Sequence, residues 1–212
     1  MEDRTSDGLY LEMTDRTPAR YASERTAEVA DIDGTSAPSI WRNVHRDRSD
    51  LPRVLDEFDT LAVYEVGAAF VAPTTLPDEI RSLHFMRTPR PGQGTLSGRA
   101  TIGLSLVLIS PRDEATAQDL RDWGDFVHIR HIAEAAVPGF TMITPYVNAD
   151  RTAHPRFMHF YEMDCPDPER AFKAMTPLVT QRIGPRESVE WKQWATCPSL
   201  RIMYVNTFER VG

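Results

Sequence analysis

An α+β fold built from two tandem β-α-β-β-α-β units is predicted, and three observations lead there. The apolar stretch that ends in Tyr64-Glu65-Val66 coincides with the one ending in Tyr161-Glu162-Met163 when shifted by 97 positions. A shift of 105 pairs Arg25 with Arg130, Gly34 with Gly139, Trp41 with Tyr146 and Asn43 with Asn148. The eight extra residues of the first copy fall in a longer loop over 47–59. Finally, strand and helix signals alternate through the second half in the order of a split βαβ, ferredoxin-like unit.

Each element of the second half has a local reason. The branched run 103–109 reads as a buried strand. Ser110-Pro111 with Asp113 resembles a helix start, and Pro138-Gly139 stops that helix near residue 136. Residues 140–147 and 156–163 are strands. Asp167-Pro168 opens a second helix that Gly184-Pro185 ends, and 200–208 is the last strand. The first half repeats this less cleanly, with strands over 9–13, 39–44 and 61–66, a helix over 17–30 and a short helix over 77–86. Its fourth strand is expected around 96–101, after a Pro/Gly-rich loop over 88–98. The resulting division is a disordered tail (1–8), a degenerate N-terminal repeat (9–101) and a C-terminal repeat (102–212). A four-stranded sheet with helices on one side needs its other face covered, so the two sheets are expected to pack on each other.

The 41% apolar and 26% charged content suits a globular protein of 212 residues, and the net charge of −7 disfavours nucleic acid and anionic membranes as partners. Cys165 and Cys197 are too few for a disulfide framework, the acidic start is no signal peptide, and the run 102–109 is too short to cross a bilayer. A cytoplasmic protein is the expectation. Phosphate-cradling glycine loops and nucleophile elbows are missing from the sequence.

Candidate chemistry sits in the second copy. On a regular helix Leu120, Trp123, Gly124, Val127 and His131 share a stripe, with Glu134 one turn on and His128 at its margin. A histidine facing inward beside a carboxylate can be a tuned general base; the alternative is a core histidine bonded to a backbone carbonyl. On the third strand, alternation puts His159 and Tyr161 on one face, as donors to a substrate oxygen if that face looks at the helices. Tyr161 recurs as Tyr64, but His159 aligns with Ala62 and His131 with Thr26, so both histidines belong to one copy only. Trp123, Trp191, Trp194 and Tyr204 are candidate walls for a flat apolar ligand, or plain core. No metal is expected, since His131, Glu134 and His159 make a poor three-ligand set. Arg81, Arg87, Arg90 and Arg99, around the Pro/Gly loop, read as a solvated loop or as an attractor of anions.

The stretch Trp123-(x)2-Phe126-Val127-His128-Ile129-Arg130-His131, followed by Pro138-Gly139-Phe140 and Tyr146, resembles the dimeric α+β barrel superfamily, in particular its EthD-like and antibiotic-biosynthesis-monooxygenase-like members. Residues 157–163 followed by Asp164, Pro166 and Pro168 resemble its third strand and second helix start. The likeness covers most of 103–208 and, more faintly, 9–86. It implies a pseudo-dimeric barrel within one chain, which leaves a homodimer of whole chains open. It also implies a site between sheet and helices, and a cofactor-free monooxygenase, cyclase, lyase or isomerase acting on a small aromatic or polyketide-like compound. His131 would be the base, Glu134 its orienter, His159 and Tyr161 the donors, and Trp123, Val127, His128, Tyr146, Trp194 and Tyr204 the substrate wall. Haem with His131 as axial ligand is the alternative within that resemblance, and a non-catalytic binding protein the alternative outside it.

Overall fold

The computed structural model describes residues 6–212. Most of the tail expected over 1–8 therefore lies outside the described residues, and Gly8 already opens the first strand. In chain order the N-terminal half contains β1 (Gly8–Thr14), α1 (Pro18–Glu24), α2 (Thr26–Ala30), β2 (Ser39–Asn43), β3 (Thr60–Val66) and β4 (Ile80–Arg87). After the two-residue β5 (Gln93–Gly94) come β6 (Gly103–Pro111), α3 (Ala117–Trp123), α4 (Ile129–Glu134), β7 (Phe140–Asn148), β8 (Phe157–Met163), α5 (Pro168–Ile183), α6 (Val189–Ala195) and β9 (Leu200–Val211).

All sheet pairings among the described residues are antiparallel. The strands run β4-β1-β3-β2-β9-β6-β8-β7, and β4 also pairs with β7. That last pairing (Phe85 with Asn148, Met86 with Val147, Arg87 with Tyr146) closes eight strands into a barrel. Within each half the order is fourth-first-third-second, and both seams join a second strand of one half to a fourth strand of the other. Closure gives each of these eight strands a neighbour on both sides, and eight is a number whose interior side chains can just fill. Leu9, Leu11, Leu61, Phe85, Leu104, Leu106, Leu108, Met158, Phe160 and Phe208 do so. The alternate residues of the same strands face the helices.

The expectation for the end of the N-terminal half is overturned. Residues 80–87 form strand β4, not a helix, and the fourth strand is this segment, not 96–101. Ile80, Leu83 and His84 fit a helical spacing, but β4 pairs with β1 over seven residues and turns Leu83 and Phe85 into the barrel. Non-local pairing outweighs a short local pattern. Among the described residues no second helix stands between β3 and β4; Phe70, from the connecting loop, packs instead on Tyr10, with ring centroids 5.1 Å apart.

The helix expected over 110–136 is also modified. Ser110 and Pro111 remain in β6, paired with Arg201 and Leu200, and Asp113 caps a 3-10 turn over Glu114–Thr116 by accepting from the Ala115 N–H at 3.0 Å. Between α3 and α4 lies a π-helical turn, Gly124–His128, closed by the Ile129 N–H donating to the Gly124 carbonyl. A π turn inserts about one residue and rotates everything after it by roughly 100°. Leu120, Gly124, Ile129 and Ile132 consequently become the inward residues, and Val127 and His131 lose that position. The second helix of this half behaves as expected: Asp167 accepts from the Arg170 N–H at 2.9 Å and Gly184 follows its last turn.

Candidate active site

Between the outer face of β6, β8 and β9 and the helices of the C-terminal half lies a cavity of about 370 Å³. Val107, Ile109, His159, Tyr161, Ile202 and Val205 form its floor, while Trp123, His128, Phe172, Met175, Trp191 and Trp194 come from the helices. Leu51 arrives from the long loop of the N-terminal half. No carboxylate among the described residues lines this cavity, and Arg186 is its one permanently charged side chain.

At its floor is a buried histidine–carboxylate hydrogen bond. His159 Nε2 lies 3.1 Å from Asp125 Oδ1, and the two side chains are 4% and 3% exposed. Asp125 is placed by the π turn, and a Cβ at Gly124 would stand 2.9 Å from His159 Cε1. Glycine there leaves room for the His159 ring against the helix. The other oxygen, Asp125 Oδ2, accepts from Arg90 at 2.9 Å, and Gln93 donates to the Asp125 carbonyl. Arg90 also pairs with Asp122 and lies over the Phe126 ring. The carboxylate accepts, so in the neutral ring Nε2 carries the hydrogen and Nδ1 the lone pair. Nδ1 has no partner among the described residues and is the ring atom able to take a proton from a ligand.

Tyr161, two residues along β8, shares the face of His159 and lines the cavity. Burial, and secondarily the negative charge of Asp125, push its hydroxyl well above the ordinary range, so it stays a donor. No protein group hydrogen-bonds this hydroxyl among the described residues. His128 is held between Trp123, centroid 4.8 Å away, and Trp194, parallel within 6° at 5.2 Å. It donates through Nδ1 to the Trp194 carbonyl at 3.0 Å, and burial brings its pKa down to about 4. It is a neutral ring with its Nε2 lone pair free.

The residues singled out from sequence separate into two groups. His159, Tyr161, His128, Trp123 and Trp194 converge on the cavity. His131 and Glu134, placed there by a regular helix, do not line it. His131 stands 3.7 Å from Glu134, which Arg182 of α5 engages at 2.6 Å, and its buried Nδ1 has no hydrogen-bond partner. Burial also lowers its pKa. Val127 likewise misses the cavity. Tyr146 and Tyr204 point into the barrel, where Tyr204 stacks on Phe58 at 4.9 Å and bonds Glu57. The π turn and the direction of the strand pleat account for these corrections.

Asp125 carries no signal in the sequence, because only folding brings it to His159. The Pro/Gly loop is no bare solvated segment: Arg90 engages Asp125, and Arg99 engages Asp164 at 2.7 Å. No trio of His, Cys, Asp or Glu side chains suitable for a metal occurs among the described residues. Haem ligation by His131 does not fit, because that ring lies outside the cavity. The cavity volume is near the lower end of small-ligand sites, and Arg186 alone would face two propionates.

No protein-family model matches the chain, and no curated protein sequence does. Solved structures do share its fold. An anthrone oxidase-like protein superposes with a TM-score of 0.57 at 15% identity, covering 100% of this chain and 94% of that one. A candidate monooxygenase from Lactobacillus acidophilus NCFM gives 0.50 at 11% identity, covering 97% and 94%. A point mutant of chlorite dismutase from Candidatus Nitrospira defluvii also gives 0.50, at 10% identity, covering 98% and 92%. The chain thus has the α+β barrel fold with ferredoxin-like halves. No helix among the described residues is long and apolar enough to cross a membrane.

Proposed function

We propose that this chain is a cofactor-independent enzyme that removes a proton from a small, flat aromatic or polyketide-like compound and passes the resulting anion to dioxygen. The observation that carries the reading is the buried His159–Asp125 pair opening onto an aromatic, carboxylate-free cavity. His159 Nδ1 takes the proton, Asp125 stabilises the imidazolium, and Tyr161 donates to the oxygen on which negative charge develops. The base is thus His159 in place of His131, and the orienter Asp125 in place of Glu134. Trp123, Trp191, Trp194 and Phe172 clamp the rings and exclude water.

The description of one structural neighbour as anthrone oxidase-like supplies a probe. Anthrone loses a methylene proton to give an anion with charge on its carbonyl oxygen. Its overall oxidation consumes one dioxygen and yields anthraquinone and water. The same first step would serve lyase, isomerase or cyclase chemistry, none of which forms anthraquinone. Following anthraquinone absorbance in air, His159→Ala is expected to lower turnover by about 10²–10⁴-fold, while His131→Ala stays near the wild-type rate. Wild-type-like turnover by the His159 variant would sink the proposal. We also read 9–101 and 102–212 as two copies of one unit, a reading supported by their identical strand order.

A further inference from the structure

The strongest feature that this mechanism leaves unused is the lone charge of the cavity. Arg186 lies in the segment between α5 and α6, exposed to solvent yet lining the cavity. Its guanidinium stands 5.7 Å from the centroid of Trp191, itself a cavity wall. No carboxylate pairs with it among the described residues, although the chain carries 31 acidic residues against 24 Lys and Arg. By contrast, the arginines beneath and beside the cavity are committed: Arg90 to Asp122 and Asp125, Arg48 to Asp50 and Glu169, and Arg182 to Glu134. The rest of the lining is apolar or aromatic apart from the two histidines, Tyr161 and Thr176.

We infer that Arg186 is a specificity residue and that the preferred ligand is an aromatic compound bearing a carboxylate or similar anionic substituent. The planar guanidinium offers a two-pronged donor to a carboxylate, and stacking on Trp191 restrains it, so less freedom is lost on binding. The aromatic body of the ligand occupies the cavity while its charged substituent stays at the edge, where water still reaches it. Such an arrangement avoids burying a carboxylate in an apolar chamber, which would be costly. The inference rests on the reading of this cavity as the substrate site, but not on the identity of the base.

Three tryptophans line the cavity, so ligand binding can be followed by quenching of their fluorescence. The probes are anthraquinone-2-carboxylate and its neutral isostere anthraquinone-2-carboxamide. For the wild-type protein the carboxylate is expected to bind about tenfold more tightly than the amide, with that preference lost in Arg186→Gln and partly kept in Arg186→Lys. The amide should bind all three proteins alike. Equal binding of both probes to the wild type, or a carboxylate preference that survives Arg186→Gln, would overturn the inference and leave the proposed function standing. Failure of both probes to quench would overturn the inference together with the cavity reading.

Discussion

The two halves of the barrel solve the same packing problem differently. Each lays helices on the outer face of four strands, and each meets polar groups there. In the N-terminal half Glu12, with 0% exposure, sits at that interface. Arg25 engages it through two nitrogens at 3.0 and 2.7 Å, Tyr21 donates to it at 2.7 Å and Tyr10 at 3.0 Å, and Tyr64 closes the cluster on Tyr21 at 2.7 Å. Both carboxylate oxygens are satisfied from within. In the C-terminal half β8, which stands where β3 stands in the other half, carries His159 and Tyr161, their partners are fewer, and residues of α5 and α6 line the cavity above them. One unit is thus spent on a closed polar core, and the other on a site with unsatisfied ring and hydroxyl groups. Among the described residues no helix stands between β3 and β4, so the N-terminal half lacks the roof that such a cavity needs.

Breaking the closed cluster should cost stability and little else. Arg25→Ala strips the main partner from a fully buried carboxylate, and a loss of about 3–5 kcal/mol is expected in denaturant unfolding. Turnover per folded molecule should be unchanged; a matching loss of activity would show the two interfaces to be coupled.

A pH titration of stability probes the other side. His128 has a folded-state pKa of about 4, below its unfolded value near 6.5, so the unfolded chain binds the proton first. Stability is therefore highest above pH 6.5 and falls as the pH drops toward 4, by up to about 3 kcal/mol from this group. In His128→Phe the decline over that window should flatten. An unchanged slope would assign the acid sensitivity to other groups.

The smallest effect concerns the site geometry. Gly124→Ala places a methyl 2.9 Å from His159 Cε1, which forces the ring away from Asp125. A loss of about tenfold in turnover is expected, in line with the cost of slight misplacement of a catalytic group, with thermal unfolding showing a folded protein.

Much of this contrast is visible in the residues before any folding is considered. Gly34 and Gly139 align, and both adopt positive φ, at 81° and 93°. Tyr64 and Tyr161 align, and both face helices. His159 has no counterpart, and it reaches the cavity. Less legible was β4, whose short pattern fits helix or strand until β1 and β7 pair with it. His131 misled for a related reason: its place on the helix depends on a π turn that hydrophobic spacing does not announce.

The local choices were written in the chain, because caps, proline and glycine stops and strand alternation act over a few residues. They specify most elements, the similar order of elements in the two halves and the half that carries His128 and His159. Contacts between distant segments were settled only on folding. Barrel closure through β4 and β7, the capture of Asp125 by Arg90 across 35 positions and its pairing with His159 across 34 all belong there. Such pairs depend on how helix, strand and linker dock, and a single misplaced turn of about 100° is enough to exchange one candidate base for another.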